Sequence, residues 1–294
     1  MDVYSPSKLD SFEKCPRQYW YGYVGKVEIK TAGTVETFLG NRVHTALEQL
    51  YDLHQHGLLM AREQLLQWYE KDWDLEWNNE IRIVKTGTSS QDYRRTGQDC
   101  LSAYYDRYAP FDQSQTLGLE SEVVFALDAR GQCRMRGIID RFALRQDGTC
   151  EVHDYKTSGT LMTPAEADVD RQLGLYQIGV MSMLNEVQQV DLIWHYLQFN
   201  EEIHSRRTPE QLQGLKAACI VLIRDIEALG QEEASFPTHP SRQCDWCDFR
   251  EICPAKKRTR LVFEDIQLDV PRPTLSMPKL DAKDAGMPNK GPAQ

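Results

Sequence analysis

The sequence predicts an α/β domain, and three observations carry that prediction. Apolar residues recur at helical spacing through the first hundred residues, the pattern switches to strand-like runs from residue 119, and helical spacing returns at 165–184 and 209–230. Taken in order, Leu39, Val43, Ala46, Leu47 and Leu50 share one face of a helix expected over 36–56. The Trp-, Leu- and Glu-rich segment 60–83 reads as a second helix, "KTGTSSQ" (85–91) as a loop and 92–109 as a third helix. "LESEVVFAL", "CRMRGIIDRFAL" and "CEVHDYK" read as successive strands, and "VDLIWHYLQF" (190–199) as one more. The segment 236–260 holds Pro237, Pro240, Pro254 and three close cysteines, so it is expected to be an irregular knot. From Pro271 there are five prolines in 24 residues and almost no large apolar side chains, so 263–294 is expected to be disordered, leaving one domain over 1–262.

At 294 residues the chain can bury a substantial core. Its net charge of −10 argues against a non-specific nucleic-acid coat but not against an enzyme that acts on nucleic acid, which needs only a local basic groove and brings in metal ions. No apolar run of about 18 residues and no signal-peptide core is present, so a soluble, cytoplasmic protein is expected. In such a setting eight cysteines point to metal binding, catalysis or core packing rather than disulfides.

The chemistry concentrates in "GIIDRFALRQDGTCEVHDYKTSG" (137–159). Asp147-Gly148 signals a hairpin turn. With a three-residue loop, Gln146-Asp147-Gly148, Arg145 faces Thr149, Asp140 faces Asp154, and Lys156 joins the same face while Tyr155 points away. Opposed carboxylates repel unless a hard cation such as Mg²⁺ lies between them, and a lysine beside it can act on water or phosphate. Gln172 and Tyr176, at i and i+4, share a helix face that can reach this patch. His44 borders the apolar stripe of 36–56 and could add a neutral imidazole, a mixed set that suits Mn²⁺ as well as Mg²⁺. Each residue also has a plainer reading, as a solvated strand position, a packing histidine or an amphipathic helix.

Cys244, Cys247 and Cys253 need a fourth thiolate for either Zn²⁺ or an iron–sulfur cluster. Cys100, Cys133, Cys150 and Cys219 fall in helices and strands, whereas Cys15 stands in a second Cys-Pro pair and is assigned as the fourth ligand. A single CxxC favours [4Fe–4S] over a zinc ribbon, with zinc left open.

The set resembles the PD-(D/E)XK nuclease superfamily, in particular its RecB-like and Cas4-like iron–sulfur exonucleases. The matching stretches run in the family's order over about residues 3–257: "SPSKLDSFEKCPRQYW", "GNRVHTALEQLY", "GIIDRF", "HDYKTS", "RQLGLYQIG" and "CDWCDFREICP". One departure is Ile139 where the family often has proline before its first acid. The resemblance implies a restriction-endonuclease-like core, a central mixed sheet flanked by helices. It implies His44, Asp140, Asp154 and the Tyr155 carbonyl as ligands of Mg²⁺ or Mn²⁺, Lys156 acting on water with Gln172 and Tyr176 assisting, and [4Fe–4S] on the four cysteines. The expected activity is metal-dependent DNA exonuclease hydrolysis at single-stranded or free ends, with possible protein partners in repair, recombination or CRISPR-type end processing. The alternatives are a weakly active accessory subunit and a non-catalytic, zinc-stapled DNA-binding protein. Arg17, Arg42, Arg136, Arg141, Arg171 and the run 256–260 are candidates for DNA backbone contacts, and Trp20, Tyr21 and Trp246 for base stacking.

Overall fold

The computed structural model describes residues 2–29, 32–184, 187 and 189–256; the proline-rich stretch 263–294 and residues 257–260 of the basic run lie outside them. A short strand β1 (Val3–Tyr4) leads into α1 (Pro6–Lys14), whose N-cap Ser5 accepts from Lys8 N–H with Pro6 at the first helical position. α2 (Pro16–Tyr19), α3 (Val35–Gln55), α4 (Arg62–Glu76) and α5 (Ser90–Tyr108) follow. Next come strands β2 (Gln115–Ala126), β3 (Arg134–Leu144) and β4 (Cys150–Lys156), then α6 (Pro164–Ala167) and α7 (Arg171–Met183). β5 (Val190–Tyr196), β6 (Glu201–Ser205) and α8 (Pro209–Ala228) complete the order.

Three expected elements differ from those found. The helix expected over 60–83 stops at Glu76, where Asn78 turns its side chain onto the Glu80 N–H and offers the backbone a non-helical bond. The helix expected over 165–184 is two helices, because Asp170 caps α7 by accepting from Leu173 N–H. The strand expected over 190–199 ends at Tyr196, and Asn200, in the left-handed region at φ 50°, turns the chain into β6. β1 and β6 are too short to announce themselves by alternation.

The sheet is mixed and six-stranded, ordered β1-β3-β4-β5-β6, with β2 along the other edge of β3. β3 pairs antiparallel with β2 and β4, β4 pairs parallel with β5, and β5 pairs antiparallel with β6. One face carries the cluster of Leu9, Met135, Ile139, Val152, Leu173, Trp194 and Ile223 beneath α1, α7 and α8. The other carries Leu47, Leu50, Leu65, Tyr69, Leu101, Tyr104 and Tyr155 beneath α3, α4 and α5. Covering the sheet on both faces makes every residue of β4 but Lys156 buried, so its polar residues must find partners inside.

They do so through a directed chain. Arg141 lies over the Tyr51 ring at 4.2 Å and donates to His153 Nε2 at 2.9 Å; His153 Nδ1 faces His195 Nε2 at 2.8 Å, and His195 Nδ1 lies 3.2 Å from the Tyr108 hydroxyl, which donates to Glu202. Burial, reinforced by Arg141, holds His153 well below the usual imidazole range, so it accepts from the guanidinium as a neutral ring.

At the other end of the domain, Arg17 donates to the carbonyls of Phe236 (2.8 Å) and Glu233 (3.0 Å) and pairs with the Glu233 carboxylate. Its own N–H donates to the Pro237 carbonyl, and Trp20 Nε1 donates to the Gln231 carbonyl at 2.8 Å. The first helices are thereby fastened to the segment that precedes the three close cysteines.

Candidate metal centre

The hairpin has the register the sequence predicts. Arg141 pairs with His153, Leu144 with Cys150, and Arg145 N–H donates to Thr149 O across a loop whose Gly148 sits at φ 83°. The next rung would place Asp140 opposite Asp154, but the ladder ends at Arg141. Instead the Asp140 carboxylate accepts from Tyr155 N–H at 2.8 Å, taking the bond that the β3 backbone no longer offers. The strands part at the two acids, and the gap between them is where charge collects.

α3 delivers His44 into that gap. Its Nε2 lies 2.7 Å from the Tyr155 carbonyl and its Nδ1 3.5 Å from Asp140 Oδ2. Burial opposes the imidazolium, but Asp140, Asp154 and the Tyr155 carbonyl outweigh it and raise His44 to about 9. A cation entering the gap competes with that proton, which couples its binding to proton release.

β4 and α7 build the second half. Lys156 Nζ lies 2.7 Å from Asp154 Oδ2 and donates to Gln172 Oε1 at 3.2 Å, while Gln172 Nε2 donates to Asp154 Oδ1 at 2.9 Å and to the Tyr176 hydroxyl at 3.2 Å. The three side chains close a ring. Burial pushes the Asp154 carboxyl up, with Lys156 pulling the other way. Burial likewise opposes the charge on Lys156, but Asp154 and Asp140 keep its ammonium above the usual range, so it is a cation poised beside the acids rather than a free base. Gln172 and Tyr176 hold this pair; Tyr176 in turn packs on Gly137 of β3, where a Cβ would meet its ring at 2.4 Å.

Sequence reasoning missed Glu120. β2 pairs Leu119 with Arg141 and Ser121 with Ile139, so Glu120 faces Asp140, and it stands in the left-handed region at φ 41°. Ligand-capable atoms of His44, Glu120 and Asp140 all lie within 4.8 Å of one another. Burial and the adjacent Asp140 carboxylate push Glu120 up to about 7. The signal available was its place in the strand expected to pair with "GIIDRF", yet Glu122 sits two residues on with equal claim.

The cysteines divide by burial. Cys100, Cys133, Cys150 and Cys219 are buried, whereas Cys15, Cys244, Cys247 and Cys253 are half-buried. Burial raises the Cys247 thiol, the Phe249 backbone N–H pulls the other way, and the nearby thiols of Cys15, Cys253 and Cys244 add to the rise. Two backbone groups are aimed at sulfur: His239 N–H at Cys15 Sγ (3.4 Å) and Ser241 N–H at Cys244 Sγ (3.3 Å).

Several expected DNA contacts are taken up elsewhere. Arg42 pairs with Asp72, Arg171 with Asp10 and Glu13, and Arg141 and Arg17 make the contacts given above. Lys256, the described part of the basic run, pairs with Glu251. Tyr21 packs on Phe249 at 5.2 Å and Trp20 is tied to Gln231, which leaves Arg136 and the partly exposed Trp246 facing solvent. Among the described residues no helix is long and apolar enough to cross a membrane.

No curated protein matches this chain. Among the solved structures similar to it are a candidate exonuclease from Eubacterium rectale, at 13% identity over 83% of this chain and 86% of that one with a TM-score of 0.48, and the protein SSO0001, at 15% identity over 86% of each with a TM-score of 0.38. The sequence model of the PD-(D/E)XK nuclease superfamily matches residues 3–254. That match takes in β1 through the last of the close cysteines, including both acids of the splayed hairpin and Lys156, and the chain belongs to the PD-(D/E)XK nuclease superfamily.

Proposed function

We propose that this nuclease is a metal-dependent DNA exonuclease that hydrolyses phosphodiester bonds at single-stranded ends. The observation that carries the reading is the splayed hairpin, in which Asp140 and the Tyr155 backbone are locked together on one side and Asp154, Lys156 and Gln172 on the other. The donor set fits a hard divalent cation, Mg²⁺ or Mn²⁺: carboxylates, a backbone carbonyl and one imidazole, with Asp154 Oδ2 buried and facing the Lys156 ammonium at 2.7 Å. Asp140, Asp154, His44 and the Tyr155 carbonyl would hold it, with Glu120 as a further carboxylate. When bound, the cation supplies Lewis acidity toward the phosphate and lowers the pKa of a water. Lys156 steadies charge on the attacked phosphate, Gln172 fixes the lysine, and Tyr176 braces Gln172. A purely structural, non-catalytic role would leave the buried Asp154 carboxylate as a cost without use.

The cysteines fit [4Fe–4S], as thiolates gathered from both ends of the domain with N–H groups directed at two of the sulfurs. Its role in this reading is to hold the first helices to the knot.

The test is digestion of end-labelled DNA with Mg²⁺ or Mn²⁺. Asp154→Asn and Lys156→Met should each lower the rate by more than about a hundredfold, since each removes a charge that acts on the reacting phosphate; wild-type rates in both would sink the assignment. For the cluster, anaerobically purified protein should contain about four iron atoms per chain and lose them in Cys15→Ser. One zinc per chain and no iron would replace it with a zinc staple.

A further inference from the structure

β2 and β3 run on past β4 as a ribbon, joined along the other edge of β3 only by β1 at Arg134 and Met135. Val123, Phe125, Met135 and Ile139 turn inward, and α7 lies against them, with Gly179 packed on Val123 and Phe125. The opposite face is open. Along β3 it presents Arg134, Arg136 and Ile138, and the next residue in that row is Asp140. Along β2 the partners are Ala126, Val124 and Glu122, and the next in that row is Glu120. Both rows therefore lead from open sheet into the candidate metal centre.

The composition of this face is specific. Val124 and Ile138 are 41% and 46% exposed on this face, and Arg130 is exposed in the turn beyond them. Asp128, the acid in that turn, is occupied by the N–H groups of Gln132 and Cys133. Arg136 makes a loose 3.5 Å pair with Glu122, and no ion pair holds Arg134 among the described residues. Two arginines on one strand face stand about 7 Å apart, close to the phosphate spacing of an extended single strand.

We propose that the outer face of this ribbon is the track along which one DNA strand reaches the centre, with Arg130, Arg134 and Arg136 on successive phosphates and Val124 and Ile138 beneath sugars or bases. This rests on the nuclease reading and names its substrate surface. A nucleic-acid strand fits better than a protein partner because the row combines repeated guanidinium groups with small apolar platforms and ends at acids that need a cation to receive phosphate. In this arrangement Glu122 competes with DNA for Arg136, which gives the proposal a signature that a general loss of charge would not: removing an acid should help.

The experiment is fluorescence anisotropy with a labelled single-stranded 20-mer in Ca²⁺, read at several salt concentrations. Arg134→Ala with Arg136→Ala should weaken binding roughly tenfold and flatten the salt dependence by about 1.4, the value for two single-strand phosphate contacts. Glu122→Gln should tighten binding about twofold to fivefold. Binding and salt slope equal to wild type in the double variant, with wild type binding normally, would overturn the track and leave the nuclease reading intact. Failure of the wild type to bind the 20-mer at all would overturn the single-strand reading and the track with it. Thermal unfolding is the control, since substitutions at these exposed positions should leave the unfolding midpoint essentially where it is in wild type.

Discussion

Replacing Gly137 by alanine tests whether the Asp154–Lys156 pair depends on a brace that never touches substrate. An added Cβ would lie 2.4 Å from Tyr176 Cε1 and 2.8 Å from Cδ1, whereas ordinary contact begins at 3.4 Å, so the ring edge must retreat by 3.4 − 2.4 = 1.0 Å. Overpacking of this kind costs about 1–3 kcal/mol, offset by about 0.4–1 kcal/mol from the stiffer unfolded chain. The net loss of about 1–2 kcal/mol should lower Tm by roughly 2–8 °C. A ring displaced that far cannot keep its 3.2 Å bond with Gln172, which bonds Asp154 at 2.9 Å and Lys156 at 3.2 Å. Misplacing these groups by a fraction of the same distance should cost about tenfold to a hundredfold in DNA hydrolysis. The assays are calorimetry and end-labelled digestion on Gly137→Ala, Tyr176→Ala and the double variant. With the ring removed, the alanine should cost almost nothing more. Equal costs in both backgrounds, or full activity in Gly137→Ala, would refute the reasoning.

Two further outcomes are expected. Burial opposes the charge on Glu202, but hydrogen bonds from His204 and Tyr108, with His195 and Arg107 nearby, hold it down at about 2. A carboxyl depressed in this way contributes stability above its ordinary pKa and loses it as pH falls toward the folded value. Glu202→Gln should therefore cost on the order of 1–2 kcal/mol near pH 7 after screening, and urea unfolding should show the gap to wild type closing as pH falls from about 4.5 to about 2. Arg17→Ala removes three acceptors' donor at once and should cost about 1–3 kcal/mol in urea unfolding, with Arg17→Lys recovering little because the fork geometry is lost.

Much of the site was legible because its decisive interactions are local. Asp147-Gly148 fixes a loop length, the loop length fixes the register, and the register carries the strands together as far as Arg141 and His153, one rung short of Asp140 and Asp154. The position of Gln172 and Tyr176 on one helix face follows from spacing alone. What escaped depends on contacts between segments far apart in the chain. Glu120 reaches the centre only because β2 pairs with β3 and turns left-handed at that one residue, and alternation gave Glu122 an equal claim. Arg141 reads as a surface base beside an acid, yet it is buried on Tyr51 and His153, partners supplied by α3 and β4. The splaying of the hairpin was also hidden, since a ladder drawn from period alone continues through the acids, whereas two facing carboxylates favour its ending there.

The fastening of Arg17 to Glu233 and Phe236 has a consequence in time. The two partners are 216 residues apart, and a ribosome adds about 5–20 residues per second, so Cys15 leaves the exit tunnel roughly 10–40 s before the first of its companion thiols is made. Arg17 must wait for its acceptors at Glu233 and Phe236 through the synthesis of nearly all of both cores. If the four cysteines act together as proposed, the set cannot be complete before Cys253 is made, and a chain that stops short of it never completes the set.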